Sequence, residues 1–273
     1  MSGSTLPFFD CNCMIGRWPA YPRFQEIRSA TDLIRELDYF GIDKSLVFHS
    51  LAWTNDSLVG NKMLSKEIQG AQRLYPAWVV NTDHGKVLDT ATLREFGVHA
   101  IRMFFQGSGR SEDGFILSNL MVGEIFERLN KMRIPVFLHL AEPHLDAITS
   151  MGDPTYEWVP DYYWDKIYEL AKQYSDLPII LTRVASYQHT ILRQLLRKTD
   201  NVYWELSGSQ KYNGIEDLVS TCGAERILFG TWLPFADPGY SIAKVVYADI
   251  NTNDKELISH LNIERLLGAV QFD

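Results

Sequence analysis

A chain of 273 residues with 46% apolar and 22% charged side chains can bury one large core, and it is too evenly mixed to be disordered or fibrous. Its net charge of −8, without any block of like charges, offers no basic surface for nucleic acid. No apolar run is long enough for a membrane span, and the opening M-S-G-S-T-L-P-F-F-D lacks the basic and long apolar regions of a signal peptide, so a cytoplasmic protein with no membrane partner is expected.

The first predicted element is a strand over Phe8–Met14, within the run F-F-D-C-N-C-M-I-G that closes at Gly16. Simple alternation puts Asp10, Asn12 and Met14 on one face and Cys11, Cys13 and Ile15 on the other. Polar side chains in so apolar a run are costly unless their face lines a site or finds hydrogen-bond partners. Cys11 and Cys13 then point outward toward helices. With Cys222 they read as buried thiols of a reducing compartment, since no second cysteine pair completes a metal site.

Seven further strands are predicted at Ser45–His49, Ala77–Asn81, Ala100–Phe104, Pro135–His139, Ile179–Leu181, Val202–Leu206 and Ile227–Thr231. Between them lie helical patterns at Thr31–Phe40, ending at Gly41, and at Ser57–Leu74. Ser118–Met132 follows, with Leu120, Met121, Ile125, Phe126 and Leu129 on one side. Asp161–Tyr174, Tyr187–Arg197 and Gly214–Cys222 complete the helices. Continuous apolar strands suit parallel sheets covered on both faces, and the repeated strand–helix alternation predicts an α/β fold, a single (β/α)8 TIM barrel over residues 1–273. The loops Phe105–Phe115 and Ala141–Pro160 follow strands four and five and so lie at the mouth where such barrels build sites. Gly107-Ser108-Gly109 reads either as an anion cradle or as part of a lid, and Tyr156, Trp158, Tyr162, Tyr163 and Trp164 either cover a ligand or pack the loop onto the barrel.

Several ordered motifs resemble the amidohydrolase superfamily, in its amidohydrolase-related (type 2) branch. Its first-strand signature, Asp-x-His-x-His-x-Gly, is met by Asp10 and Gly16, with Asn12 and Met14 at the histidine positions. P-V-F-L-H-L places His139 at a ligand position of strand five, while P-I-I-L-T-R-V-A-S puts Arg183 where strand six usually has a histidine. R-I-L-F-G-T-W-L-P-F resembles the eighth-strand R-I-L-F-G-S/T-D-x-P-F, with Trp232 in place of the Asp. N-V-Y-W-E-L-S-G and the terminal Arg265-Leu266-Leu267-Gly268 extend the resemblance along most of the chain. It implies a barrel that hydrolyses amides or lactones, or decarboxylates small aromatic acids, with a divalent metal, in a family that often forms homodimers.

Of the five ligand positions the resemblance implies, this chain keeps His139 alone. Asn and Met are poor replacements for imidazoles, Arg183 repels a cation, and Trp232 has no ligand atom, so no metal and no other cofactor is expected. The candidate catalytic groups are His139, Glu205 and Asp237; the candidate substrate-binding groups are Asn12, Met14, His49, Arg102, Glu142, Arg183 and Trp232, with Asn81 also near the mouth. His139 reads as a general acid or base, or as an inert core histidine. Arg102 and Arg183 read as clamps for an anionic substrate, or as partners of Glu205 and Asp10 inside the barrel. Three functions follow: a metal-independent hydrolase acting on a small anionic substrate such as a lactone or carboxylate, an inactive binder of a small metabolite, or a structural or interaction protein with a filled pocket. Trp232 and Met14 packed into a closed centre would favour the last.

Overall fold

The computed structural model describes residues 6–17, 27–81, 88–104, 117–139 and 161–272. Eight parallel strands succeed one another in one sheet: β1 Phe9–Ile15, β2 Lys44–His49, β3 Leu74–Val79, β4 Ala100–Phe104, β5 Val136–His139, β6 Ile179–Thr182, β7 Val202–Glu205 and β8 Ile227–Leu228. The sheet comes back on itself where the Cys11 N–H donates to Phe229 O at 3.0 Å and the Met14 N–H to Leu233 O at 2.9 Å. The expected (β/α)8 barrel is the fold.

The helices are α1 Ala30–Phe40, α2 Ser50–Thr54, α3 Ser57–Glu67, α4 Thr90–Glu95, α5 Asn119–Met132, α6 Asp161–Gln173, α7 His189–Lys198, α8 Gly214–Cys222, α9 Pro238–Val246, α10 Thr252–Glu256 and α11 Asn262–Gly268. Local chemistry sets their ends. Ser29 and Asp32 form a reciprocal capping box at the start of α1, which stops at Gly41 in the left-handed region. The helical pattern read through Ser57–Leu74 ends earlier, at Glu67, because Gly70 turns the chain at φ +84° and Leu74 already opens β3. In α5 the buried stripe is Val122, Ile125, Phe126, Leu129 and Met132, while Leu120 and Met121 are exposed. The expected face holds at Ile125, Phe126 and Leu129 and fails only in the first turn, where Val122 takes the buried place.

Within the barrel, side chains stack in layers along the axis. The floor takes Phe9 and Cys11, Leu46, Ala77, Ala100, Phe137, Ile180, Tyr203 and Leu228, at least one from every strand, and α11 plugs it with Ile263, Leu266 and Leu267. Outward residues such as Ile101, Met103, Leu138, Leu181 and Trp204 pack under the helices. Asn12, Arg102 and Glu205 occupy the next level, and Met14, Phe48, Val79, Phe104 and Trp232 the level nearest the mouth. In β4 the inward series is Ala100, Arg102, Phe104, with period two.

β1 departs from simple alternation. Its register against β2 shifts between Asp10 and Cys13. The extra residue sends Cys11 inward to the floor and Cys13 outward to the helix layer, where its Sγ donates to Asp10 Oδ2 at 3.0 Å. The two cysteines therefore do not share the outer face, and Asp10 does not share the inner one with Asn12 and Met14. Asp10 instead ties β1 to the chain after β8, accepting from the Thr231 N–H at 3.0 Å and from the Thr231 hydroxyl.

Candidate functional site

The centre of the mouth begins with a fully buried polar chain. Arg102 on β4 donates from Nη1 to Asn12 Oδ1 at 2.8 Å and from Nη2 to Cys11 O at 3.1 Å. Asn12 passes the contact on, its amide donating to Glu205 Oε2 at 3.0 Å. Glu205 on β7 also accepts the Ser207 N–H at 2.6 Å and the Ser207 hydroxyl at 2.8 Å. The carboxylate fits because residue 230 is glycine: a Cβ there would lie 2.3 Å from Glu205 Oε1. The guanidinium carbon of Arg102 sits 4.6 Å from the Phe48 ring and 5.2 Å from the Phe137 ring, so aromatic faces take the place of water around the charge. Burial lowers Arg102 to about 10 and raises Glu205 above its ordinary value, the Ser207 hydrogen bonds only partly offsetting it.

Above this chain the mouth is aromatic. His139 is fully buried, with Trp232 stacked on it at 4.7 Å, Phe104 at 5.1 Å and Trp53 of α2 at 5.8 Å between ring centroids. Its Nδ1 meets Thr182 Oγ1 at 3.4 Å. Trp232 is 4% exposed and also stacks on Phe235 at 4.9 Å and Phe48 at 6.2 Å. The Arg183 guanidinium carbon lies 5.6 Å from the Trp232 ring, and its charge acts to lower Glu205. Arg183 and Trp232 both hold left-handed backbones, φ +59° and +63°, a conformation that costs a non-glycine residue about 1–3 kcal/mol. Two such residues side by side at the ends of β6 and beyond β8 mark a backbone shaped for aiming side chains at the mouth.

The structure thus brings together Asn12, Met14, Arg102, His139, Arg183, Glu205 and Trp232. It sets two candidates apart. Asp237 starts α9, its carboxylate accepting the Gly239 N–H at 2.8 Å. His49 starts α2, its Nδ1 accepting the Leu51 N–H at 3.1 Å, and burial lowers its pKa. Glu142 lies outside the described residues, as do the loops over Phe105–Phe115 and Ala141–Pro160 apart from their flanks. Sequence reading missed Phe48 and Phe104, which strand periodicity from Leu46 and Arg102 could have placed inside. It also missed Ser207 and Trp53, which no periodic signal marks.

A divalent metal, implied by the resemblance, needs a set of imidazole and carboxylate donors. Among the described residues no three His, Cys, Asp or Glu side chains come together in a way that could hold an ion. The positions that would face it carry an amide already bonded on both sides, a thioether, a guanidinium and an indole. The residues present do not fit a metal.

Fold and site define a (β/α)8 barrel with a buried polar chain lying beneath aromatic rings at its mouth. The amidohydrolase family model matches residues 29–269, and the chain belongs to that family. Among solved structures it is similar to 2,6-dihydroxybenzoate decarboxylase from Rhizobium (15% identity, TM-score 0.75, covering 96% of this chain and 98% of that one). It is also similar to a dihydroxybenzoic acid decarboxylase from Polaromonas with bound manganese and the inhibitor 2-nitroresorcinol (16%, 0.76, 97% and 97%). A third similar structure is 5-carboxyvanillate decarboxylase from Sphingomonas paucimobilis (12%, 0.70, 97% and 99%). At these identities the likeness concerns the fold. Among curated proteins none matches the chain in sequence.

Proposed function

We propose that this chain is a family member that no longer performs metal-assisted hydrolysis or decarboxylation, and that its filled barrel centre serves a structural or interaction role in a reducing, cytoplasmic setting. One observation carries the reading: Trp232, standing where the resemblance places the metal-binding Asp, lies 4.7 Å over a fully buried His139. An indole in that place removes both the ligand and the room for a substrate beside the imidazole. The Arg102–Asn12–Glu205 chain supports it further, because Arg102 supplies beneath the mouth the positive charge that a buried carboxylate requires. A metal-independent hydrolase built on His139, Glu205 and Asp237 has less support: Glu205 is held by Asn12 and Ser207, and Asp237 caps α9.

The test combines metal analysis of the purified protein, thermal melts with zinc and manganese, and turnover assays with 2,6-dihydroxybenzoate and simple lactones. The proposal expects no stoichiometric metal, no metal-dependent rise in the melting midpoint, since a ligand of the native state must raise it, and no turnover. Stoichiometric metal or metal-dependent turnover overturns it. Metal-free turnover abolished by His139→Asn would overturn it in favour of the hydrolase.

A further inference from the structure

A cavity of about 170 Å³ opens on the outside of the barrel, between the start of α8 and the end of α9. Its inner wall is Trp204, the outward residue of β7, while Lys244 on the opposite side reaches Leu206 O and feels the charges of Glu205 and Arg183. Ser209, Lys211, Ile215, Glu216 and Lys244 line the rest. At about 30 Å³ for each water, the space holds roughly six, room for one small oxyanion with residual water rather than for an extended ligand.

Several hydrogen-bond donors belong to its lining residues. Trp204 is 1% exposed, and its indole N–H has no acceptor among the described residues. A buried donor without a partner is uncommon and is most simply understood as serving something absent from the fold itself. Helix α8 starts at Asn213, whose backbone is left-handed and whose side chain makes no capping hydrogen bond. The Gly214 N–H goes to Lys211 O and the Asp217 N–H to Asn213 O, and Ile215 and Glu216, which line the cavity, stand in the first turn of α8, where backbone N–H groups lack intrahelical partners. Lys244 donates to Leu206 O at 3.0 Å, and the carboxylate whose charge acts on it is Glu205. Lys211 is paired with Asp217, which also takes Arg193. Glu216 keeps a carboxylate on the wall, with one oxygen accepting the Asp249 N–H at 2.9 Å.

We propose that this cavity is a binding site for a small oxyanion, a phosphate or carboxylate group, held by the Lys244 ammonium and the first-turn amides of α8. Glu216 favours a ligand that also offers a hydroxyl, such as monohydrogen phosphate. Lys244 agrees with this: burial lowers it to about 8, with Arg183 acting in the same direction and Glu205 against it, and a bound anion would raise it.

The experiment is a thermal melt of the full chain at low ionic strength with inorganic phosphate, with acetate and with benzoate, each against chloride at matched ionic strength. It is paired with amine acylation of Lys244, read by peptide mass spectrometry with and without each anion. Phosphate should raise the midpoint above the chloride control and protect Lys244. A larger effect of a carboxylate would support the site and identify carboxylate as its ligand. Lys244→Met should weaken binding about tenfold or more, as expected for losing a charged hydrogen bond. If that variant folds poorly without anion, Lys244→Gln and the labelling of the unaltered chain carry the test. No anion-specific shift or protection, or a shift undiminished in a folded Lys244 variant, overturns the proposal.

Discussion

Arg102→Met removes the cation from the buried chain while keeping an apolar side chain of similar length. The change strands Asn12 Oδ1 and Cys11 O, which now accept at 2.8 and 3.1 Å, and leaves the fully buried Glu205 without a nearby charge transmitted through Asn12. Breaking a buried ionic arrangement by deleting one partner costs about 3–5 kcal/mol, because the other charge remains desolvated. Unfolding entropy of about 2.1 cal/mol/K per residue over 273 residues gives about 0.57 kcal/mol/K, so the midpoint should fall by about 5–9 °C. Calorimetry or circular dichroism measures this, with the Arg102→Met/Glu205→Gln double variant alongside. Removing both charges should recover part of the loss, since the stranded carboxylate is the larger penalty. A single variant that melts within a degree of the parent, or a double variant whose losses simply add, would refute the idea that the chain neutralises the barrel interior.

Two further outcomes follow from the same geometry. Burial raises the folded-state pKa of Glu205, so its contribution to stability is present below the ordinary value of 4.5 and is lost as pH rises through the raised value. The stability of Glu205→Gln relative to the parent should therefore improve as pH rises from about 4.5 upward, and a difference that is flat with pH across denaturant titrations would count against a raised pKa. Trp232→Ala should cost about 3–5 kcal/mol by leaving a cavity among Met14, Phe48 and His139, and added indole should restore part of the midpoint. An unchanged midpoint would mean that the indole is not part of the packed core.

The family position gives the local features a history in physical terms. A backbone that holds Arg183 and Trp232 at positive φ is expensive to build for packing alone, and cheap to keep once a barrel has been shaped to aim ligands at its mouth. Side chains can be exchanged one at a time on that frame. The Asn12 amide, itself held by Arg102, keeps Glu205 satisfied, while aromatic side chains fill the volume above.

What the sequence determined by itself was the order of strands and helices and the identity of the residues at the mouth. Apolar runs of three to seven residues bounded by Gly, Pro and Asp leave little choice in a parallel barrel, and Ala100–Phe104 and Gly214–Cys222 fall where periodicity put them. Strand ends bring side chains to one mouth whatever their chemistry, so Asn12, Arg102, His139, Arg183, Glu205 and Trp232 could be named as neighbours before any distance was known. Tertiary structure alone decided how they pair. The bulge in β1 exchanged the faces of Asp10 and Cys11, because one extra residue reverses an alternation of period two. Arg102 does not pair with Glu205 directly; the Asn12 amide links them. Asp237 and His49 went to helix starts, where nearby backbone N–H groups lacking helical partners claim them at short range. Whether an indole at position 232 platforms a ligand or fills the centre depends on rings from β2, α2 and β5, up to 184 positions away along the chain (232 − 48), and sequence spacing carries no record of that contact.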